Sequence, residues 1–293
     1  MRELRGKVAV ITGGASGIGR AIAERFAREG MKMVLADVEA PVLEKTVAEM
    51  SAAGHEVIGV LTDVSKAESV EQLAKRTIDA YGKVHLLCNN AGVSGGRGSS
   101  WGTIWEATRH DWEWIAGVNF FGVANGIRVF VPIMLAQNEE GHVVNTASVA
   151  GLMPGNNVYG ATKAAVVSMS ESLYKDFRRH NTKLNVTCLC PTVVDSGFRI
   201  GDRNRPPEFQ DADNPLATEE AREAYRAFAA KGLKPAEVAE MVYNAVKENQ
   251  LYLITAETIS EPIRDRLDAI LNRRNLRDFP MAGPFAQMEA ARK

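Results

Sequence analysis

Seven short apolar runs punctuate the chain: VAVIT (8–12), MVLAD (33–37), VIGVL (57–61), VHLLCN (84–89), HVVNTA (142–147), LNVTCLC (184–190) and LYLIT (251–255). They are rich in β-branched residues and show little alternation of apolar and polar positions, which predicts strands covered on both faces. Between them, GIGRAIAERFAREG (17–30), APVLEKTVAEMSAAG (40–54) and KAESVEQLAKRTIDAYG (66–82) carry apolar residues at three- and four-residue spacing and end at glycine, the pattern of amphipathic helices. Strict alternation of strand and helix predicts an α/β fold. Its sheet is parallel and doubly wound, with right-handed crossovers and helices on both faces.

Up to residue 195 no repeat or low-complexity linker breaks the pattern, so residues 1–293 are expected to form a single domain. Two segments depart from it. GVSGGRGSSWG (92–102) is a glycine- and serine-rich loop after the fourth strand. Residues 196–231 are too long for a simple crossover: SGFRIGDRNRPPEFQDADNPLATEE is polar and proline-bearing, and TEEAREAYRAFAAKG (218–232) follows. In the latter, Thr218 reads as a cap, and Ala221, Ala224, Tyr225, Phe228 and Ala229 form a narrow apolar stripe. The segment is expected to be a lid over a substrate, with an exposed loop or a subunit contact as the plainer alternatives. Residues 260–293 hold an amphipathic helix, IRDRLDAILNRR (263–274), and a tail.

Composition adds exclusions. With 45% hydrophobic and 24% charged residues, and 35 Lys+Arg against 36 Asp+Glu, the net charge of −1 gives no attraction for nucleic acid or anionic membranes. The first apolar run is too short for a secretory signal, and no apolar stretch approaches the roughly 18 residues that span a bilayer. A cytoplasmic location is expected. Cys88, Cys188 and Cys190 lie in apolar runs without a CxxC and read as buried thiols. The five histidines lack metal-ligand spacing, so no metal is expected.

The first strand runs straight into TGGASGIG (12–19), spaced TGxxxGxG on Gly13, Gly17 and Gly19. Glycines there allow a tight turn and a close approach of backbone N–H groups to an anion, and the helix N-terminus that follows favours a pyrophosphate. Asp37 closes the second strand about twenty residues on, where a carboxylate accepts from both hydroxyls of an adenosine ribose; capping a turn is its other use. Neither Ser16 nor Val38 offers the positive charge that a 2′-phosphate requires. NAD(H) is therefore expected over NADP(H). Asp63 and Val64 follow the third strand and are placed to receive an adenine ring, although TDVSKAE makes a helix cap equally well.

These motifs resemble those of the short-chain dehydrogenase/reductase family over residues 7 to about 255. TGGASGIG, with Ser16 and Ile18 beside its glycines, looks like the family's cofactor turn; NNAG (89–92), with Asn90, Ala91 and Gly92, looks like its strand-four motif; YGATK (159–163) matches its YxxxK. Asn119 in GVNFFG and Ser148 in NTASVAG match its helix-four asparagine and active-site serine, and PTVVDS (191–196) resembles its PGxVxT, with Pro191, Val194 and Ser196 at the matching positions. The resemblance implies a seven-stranded Rossmann-type sheet in the order 3-2-1-4-5-6-7, nicotinamide-dependent oxidoreduction and a homo-oligomer, a tetramer or dimer. Independently of the family, Gly13, Asp37, Asp63, Asn90, Ser148 and Pro191 each fall at or just after a strand's end, along the carboxyl edge where such sheets bind ligands.

The roles that follow are those the resemblance implies. Tyr159 exchanges a proton with the substrate oxygen. Lys163 lowers the phenol pKa and holds the nicotinamide ribose. Ser148 binds the same substrate oxygen, Asn119 positions a relay water, and Val194 presents backbone groups to the carboxamide. The physics supports the tyrosine and lysine. A free phenol titrates near 10, and a cation about 4 Å away at an effective dielectric near 20 contributes on the order of 4 kcal/mol. Two features depart from the family pattern: Thr192 stands where glycine is usual, and the interval from Ser148 to Tyr159 is shorter than is common, which leaves Thr146 as a substitute for Ser148. Trp101, Trp105, Trp112 and Trp114 cluster within fourteen residues and read as packing, in the core or between subunits, or as an aromatic wall for substrate. The expected substrate is a lipophilic or aromatic secondary alcohol or its ketone. The rivals are a 3-oxoacyl-thioester reductase and a catalytically silent nucleotide-sensing scaffold.

Overall fold

Val8, Ala9, Val10 and Ile11 alternate between two separate apolar layers, Ala9 and Ile11 facing one and Val8 and Val10 the other, so the first strand is sandwiched by helices as its sequence predicts. The protein is described from a computed structural model, in which residues 1–95, 103–155, 157–211 and 219–277 are placed; side-chain surroundings are described for these except at 199–201, 220–222, 224, 225 and 258. Elements follow in the order β1 (Val8–Thr12), α1 (Gly17–Arg28), β2 (Lys32–Asp37), α2 (Ala40–Ala52), β3 (Val57–Leu61), α3 (Ala67–Tyr81), β4 (Leu86–Asn89), α4 (Arg109–Ala116), α5 (Gly122–Gln137), β5 (Gly141–Thr146), α6 (Val149–Leu152), α7 (Asn157–Arg179), β6 (Leu184–Cys190), α8 (Glu219–Ala229), α9 (Pro235–Glu248), β7 (Tyr252–Ile254) and α10 (Ser260–Asn272).

The seven strands form one sheet in the order β3-β2-β1-β4-β5-β6-β7, every neighbouring pair parallel, as expected. One face packs against α1, α2 and α9 through Phe26, Leu43, Met50 and Val242; the other packs against α3, α5 and α7 through Leu73, Phe130, Met134 and Phe177. Each such side chain, fully buried, contributes about 1.5–3 kcal/mol. Coverage of both faces holds for the central strands and lapses at the edges: Leu61 at the end of β3 and Tyr252 and Ile254 in β7 remain exposed, because an edge strand has a neighbour on one side only.

The expectation that no stretch matches a spanning helix in length and apolarity needs correction. Arg109–Gln137, comprising α4, a π-helical turn (Gly117–Phe121) and α5, is 29 residues long with a mean hydropathy of 1.5 over its most apolar window. Its apolar residues have a different use, since Ile115, Val123, Phe130, Val131 and Met134 are buried against the sheet and its neighbouring helices.

All three cysteines are free and buried, as read from the sequence. Among the described residues no cluster of His, Cys, Asp or Glu is arranged to hold a metal. The tryptophans divide: Trp114 is buried, Trp112 is partly exposed and Trp105 is 82% exposed, while Trp101 lies outside the described residues. So do Gly96–Gly102 of the glycine-rich loop, Thr218, and the tail beyond residue 277.

Candidate active site

Every strand end named from the sequence lies on one edge of the sheet, because all seven strands run the same way. Gly13 and Gly17 adopt left-handed backbone (φ 63° and 53°), a conformation open to glycine at little cost. Gly19 is needed for a different reason: a side chain there would collide with the carbonyl of Gly13, so the turn closes tightly enough to start α1. Ser16, at the N-cap, makes no side-chain cap bond, and the first turn from Gly17 through Ile18 holds no acidic residue. That helix end has the electrostatic character of an anion site.

Thr12 ties this turn to the fourth strand. Its hydroxyl accepts from the backbone N–H groups of Asn90 and Ala91, both at 3.0 Å, and lies 3.3 Å from the Cys88 carbonyl. Asn90 returns the link, its Nδ2 donating to the Thr12 carbonyl at 3.0 Å, while Thr146 Oγ1 donates to Asn90 Oδ1 at 3.4 Å. Deeper in the core, Asn89 donates to Asn145, which donates to Ser170 on α7, a buried polar chain that fixes β4, β5 and α7 in relation to one another. Thr12, Asn89 and Asn145 fall inside the quoted motifs without a role assigned to them, although polar residues inside otherwise apolar strands are a visible signal.

Asp37 accepts from Ala15 N–H and Glu39 N–H, each at 3.1 Å. Burial pushes its carboxyl above the ordinary range, and the backbone donors at Glu39 and Ala15 oppose that shift. Asp63 follows the capping alternative in its contacts: one carboxylate oxygen accepts from Ser65 N–H at 2.9 Å and Ser65 Oγ at 2.7 Å, closing the turn before α3. Val64 is buried beneath α5, with Gly122 against its side chain.

Tyr159 and Lys163 lie on the inward stripe of α7, one turn apart, with Val158, Thr162, Val166 and Val167. Both are buried, with Lys163 Nζ 5.8 Å from the centroid of the Tyr159 ring. Lys163 Nζ donates to the Thr146 carbonyl at 2.8 Å. Burial lowers its pKa to about 8, partly offset by Cys190 and Cys188.

Asn119 sits in the π-helical turn between α4 and α5, a widened turn of a kind that recurs at functional sites. There its side chain pairs twice with Val93, accepting from the N–H at 2.8 Å and donating to the carbonyl at 2.9 Å. A Cβ on Gly92 would stand 3.3 Å from Asn119 Oδ1, 3.4 Å from Lys163 Nζ and 3.5 Å from the Phe198 ring, so these four residues meet at one point. Phe198 packs against Tyr159 with ring centroids 5.7 Å apart. The sequence carried no sign of this contact, which joins segments 39 positions apart.

Both departures from the family pattern are accommodated locally. Thr192 has no positive φ that would demand glycine, and its hydroxyl turns to Thr255 at 3.1 Å. The short interval after Ser148 is taken up by α6: Ser148 Oγ caps it through Ala150 N–H at 3.1 Å, and Gly151 fits directly against the backbone of Lys163. Pro191 and Val194 are buried just beyond β6, where residues 193–195 pair with Leu233, and Ser196 stands against Gly17. Asn156, between α6 and α7, lies outside the described residues.

A family model described as short chain dehydrogenase matches residues 7–206. A CLA biosynthesis dehydrogenase/reductase of Lactiplantibacillus plantarum is 33% identical over 277 residues, 92% of this chain and 95% of the relative. A C alpha-dehydrogenase of a Sphingobium species is 32% identical over 275 residues, 93% of this chain and 88% of that one. Among solved structures, a short chain dehydrogenase/reductase from Burkholderia phymatum in complex with NAD superposes with a TM-score of 0.89 at 45% identity, covering 97% of this chain and all of that one.

Proposed function

Since the chain belongs to the short chain dehydrogenase family, an oxidoreductase family acting on CH–OH groups, we propose that it moves hydride between NAD(H) and a lipophilic or aromatic secondary alcohol or its ketone. The observation that carries this reading is the pairing of Tyr159 with Lys163 on one buried face of α7, at the sheet edge where the glycine turn and Asp37 also lie.

The residues present fit a dinucleotide. The open N-terminus of α1 suits a pyrophosphate, and Asp37, held by two backbone donors, suits ribose hydroxyls. Lys163, anchored on the Thr146 carbonyl, stands ready to donate to the second ribose. The nicotinamide supplies the hydride chemistry when bound. Tyr159 gives its phenolic proton to the substrate oxygen in reduction and takes it back in oxidation, and the Lys163 ammonium stabilises the phenolate left behind. Ser148 holds the same oxygen as its charge changes. Asn119, already fixed by Val93, positions water behind Lys163.

Phe198 against Tyr159 supports an apolar substrate, since it gives the catalytic mouth an aromatic side. The strap from Ser196 through Phe209, together with α8, acts as the lid that excludes water during transfer. Asp37 sets the preference for NAD by repelling a 2′-phosphate. A panel of secondary alcohols and ketones, assayed with NAD(H) and NADP(H) by absorbance of the reduced cofactor, tests this. NAD is expected to be preferred at least about tenfold in kcat/KM, the effect of roughly 1.4 kcal/mol. Turnover with NADP equal to or better than with NAD would contradict the assignment.

A further inference from the structure

The backbone N–H of Glu39 helps to hold Asp37, but its side chain has no part in the reading above. Glu39 is the N-cap of α2, a position where the shorter Ser, Thr, Asp and Asn side chains turn back to the free N–H groups of their own helix. Here the side chain makes no cap bond. It reaches instead across to the strap that follows β6. Arg203 Nη2 donates to Glu39 Oε1 at 2.5 Å and Arg203 Nε to Oε2 at 3.2 Å, a two-point match of guanidinium to carboxylate, and Asn204 Nδ2 adds a third bond to Oε1 at 2.8 Å. The Glu39 N–H donates to Asp37 Oδ1, so the two carboxylates share one tight turn at the end of β2.

The strap bearing Arg203 follows the length of the same sheet edge. Ser196 stands against Gly17 of the glycine turn, Phe198 against Tyr159 and Gly92, and Asp202 against Gly95. Arg203 then reaches the β2 end, with its Nη1 also donating to the Gly197 carbonyl at 3.1 Å. A cation is thereby brought to Glu39, two residues past Asp37, from a position 164 residues later in the chain. Guanidinium recognises carboxylate and phosphate through the same two-point geometry, so whichever anion is present competes for it.

We propose that Glu39 is a second cofactor-selecting residue: by holding Arg203 it keeps a guanidinium beside the adenosine ribose from receiving a 2′-phosphate. The proposal rests on the reading that the Asp37 end of the groove takes that ribose. NAD presents no competing anion at this position, so the clasp closes over it unchanged. NADP meets the Asp37 carboxylate and a guanidinium already engaged with Glu39. The clasp need not be strong as a stabilising contact, because a pair this exposed contributes little to folding. What matters is which anion the arginine faces.

The test is a fluorescence titration of NADH and NADPH against the full chain, its Glu39→Gln and Arg203→Gln variants, and the double variant. Melting curves check that each is folded, and little change is expected for substitutions at this surface. Glu39→Gln is expected to tighten NADPH about tenfold and to leave NADH within about threefold. The double variant is expected to lose that gain, since the arginine is what receives the phosphate. Unchanged NADPH affinity in Glu39→Gln would overturn the proposal, and so would a gain that survives in the double variant, which would assign the effect to repulsion by Glu39 alone. Failure of the wild-type chain to bind NADH, or NADPH binding as tight as NADH in the wild type, would instead overturn the underlying reading of Asp37.

Discussion

Lys163, to which the proposed reaction assigns a charged role, has its place inside the core. Its ordinary pKa of 10.5 falls to about 8 through burial. Above about pH 10.5 the lysine is neutral in both folded and unfolded chains. As the pH drops toward 8 the unfolded chain binds the proton first, so stability is lost across that window, and below about 8 the loss is constant at roughly 3 kcal/mol. Lys163→Met removes this dependence. Denaturant unfolding of both chains without cofactor should show wild type losing ground to the variant between about pH 10 and 8, then running parallel below; a difference independent of pH would contradict the assignment. The residue itself was legible in the sequence, because a tyrosine and a lysine four apart share a helix face whatever surrounds them. Its partner was not. The Thr146 carbonyl is a backbone atom of another element, and no spacing encodes it.

At the scale of elements, the strap after β6 is held by a buried ion pair. Arg205 donates from Nη1 to Asp111 in the first turn of α4 at 2.9 Å and from Nη2 to Asp211 at 3.1 Å; its guanidinium lies 5.2 Å from the Trp114 ring, and Arg205 and Asp111 are both almost wholly buried. Thr108 and Asp111 form a capping box at that same helix end, and Thr108 Oγ1 donates to Asp211 at 2.6 Å. Replacing one partner of such a pair leaves an uncompensated charge, whereas replacing both with apolar groups does not. Arg205→Leu is therefore expected to cost about 3–5 kcal/mol and to raise KM for the alcohol as the strap loses its anchor, while Arg205→Leu with Asp111→Leu recovers much of the stability. Thermal melting and steady-state kinetics check both; equal loss in the single and double variants would contradict the pairing. The sequence marked residues 196–231 by length and polarity and located α8 to within a residue or so. It gave no hint of the contacts of Arg203 to Glu39 and of Arg205 to Asp111, which pair charges more than ninety positions apart.

Across the whole molecule, the legible part is the part governed by periodicity. Continuous apolar strands alternating with amphipathic helices led to a parallel sheet between two apolar layers, because each residue of β1 must face one layer or the other, while the order of the strands came from the family resemblance. Parallel strands then bring six separate motifs to one edge without further assumption. Edge exposure, the π-helical turn at Asn119 and the true use of the long apolar helix depend on neighbours that periodicity does not specify. The proposed reaction assigns the proton to Tyr159 and the holding of the cofactor to the rest of the edge. It is tested most directly by Tyr159→Phe, measured for turnover of the best alcohol with NAD and for NADH affinity on the same preparation. Turnover is expected to fall at least about a hundredfold while NADH binding stays within about threefold of wild type; activity retained above about a hundredth would contradict the assignment.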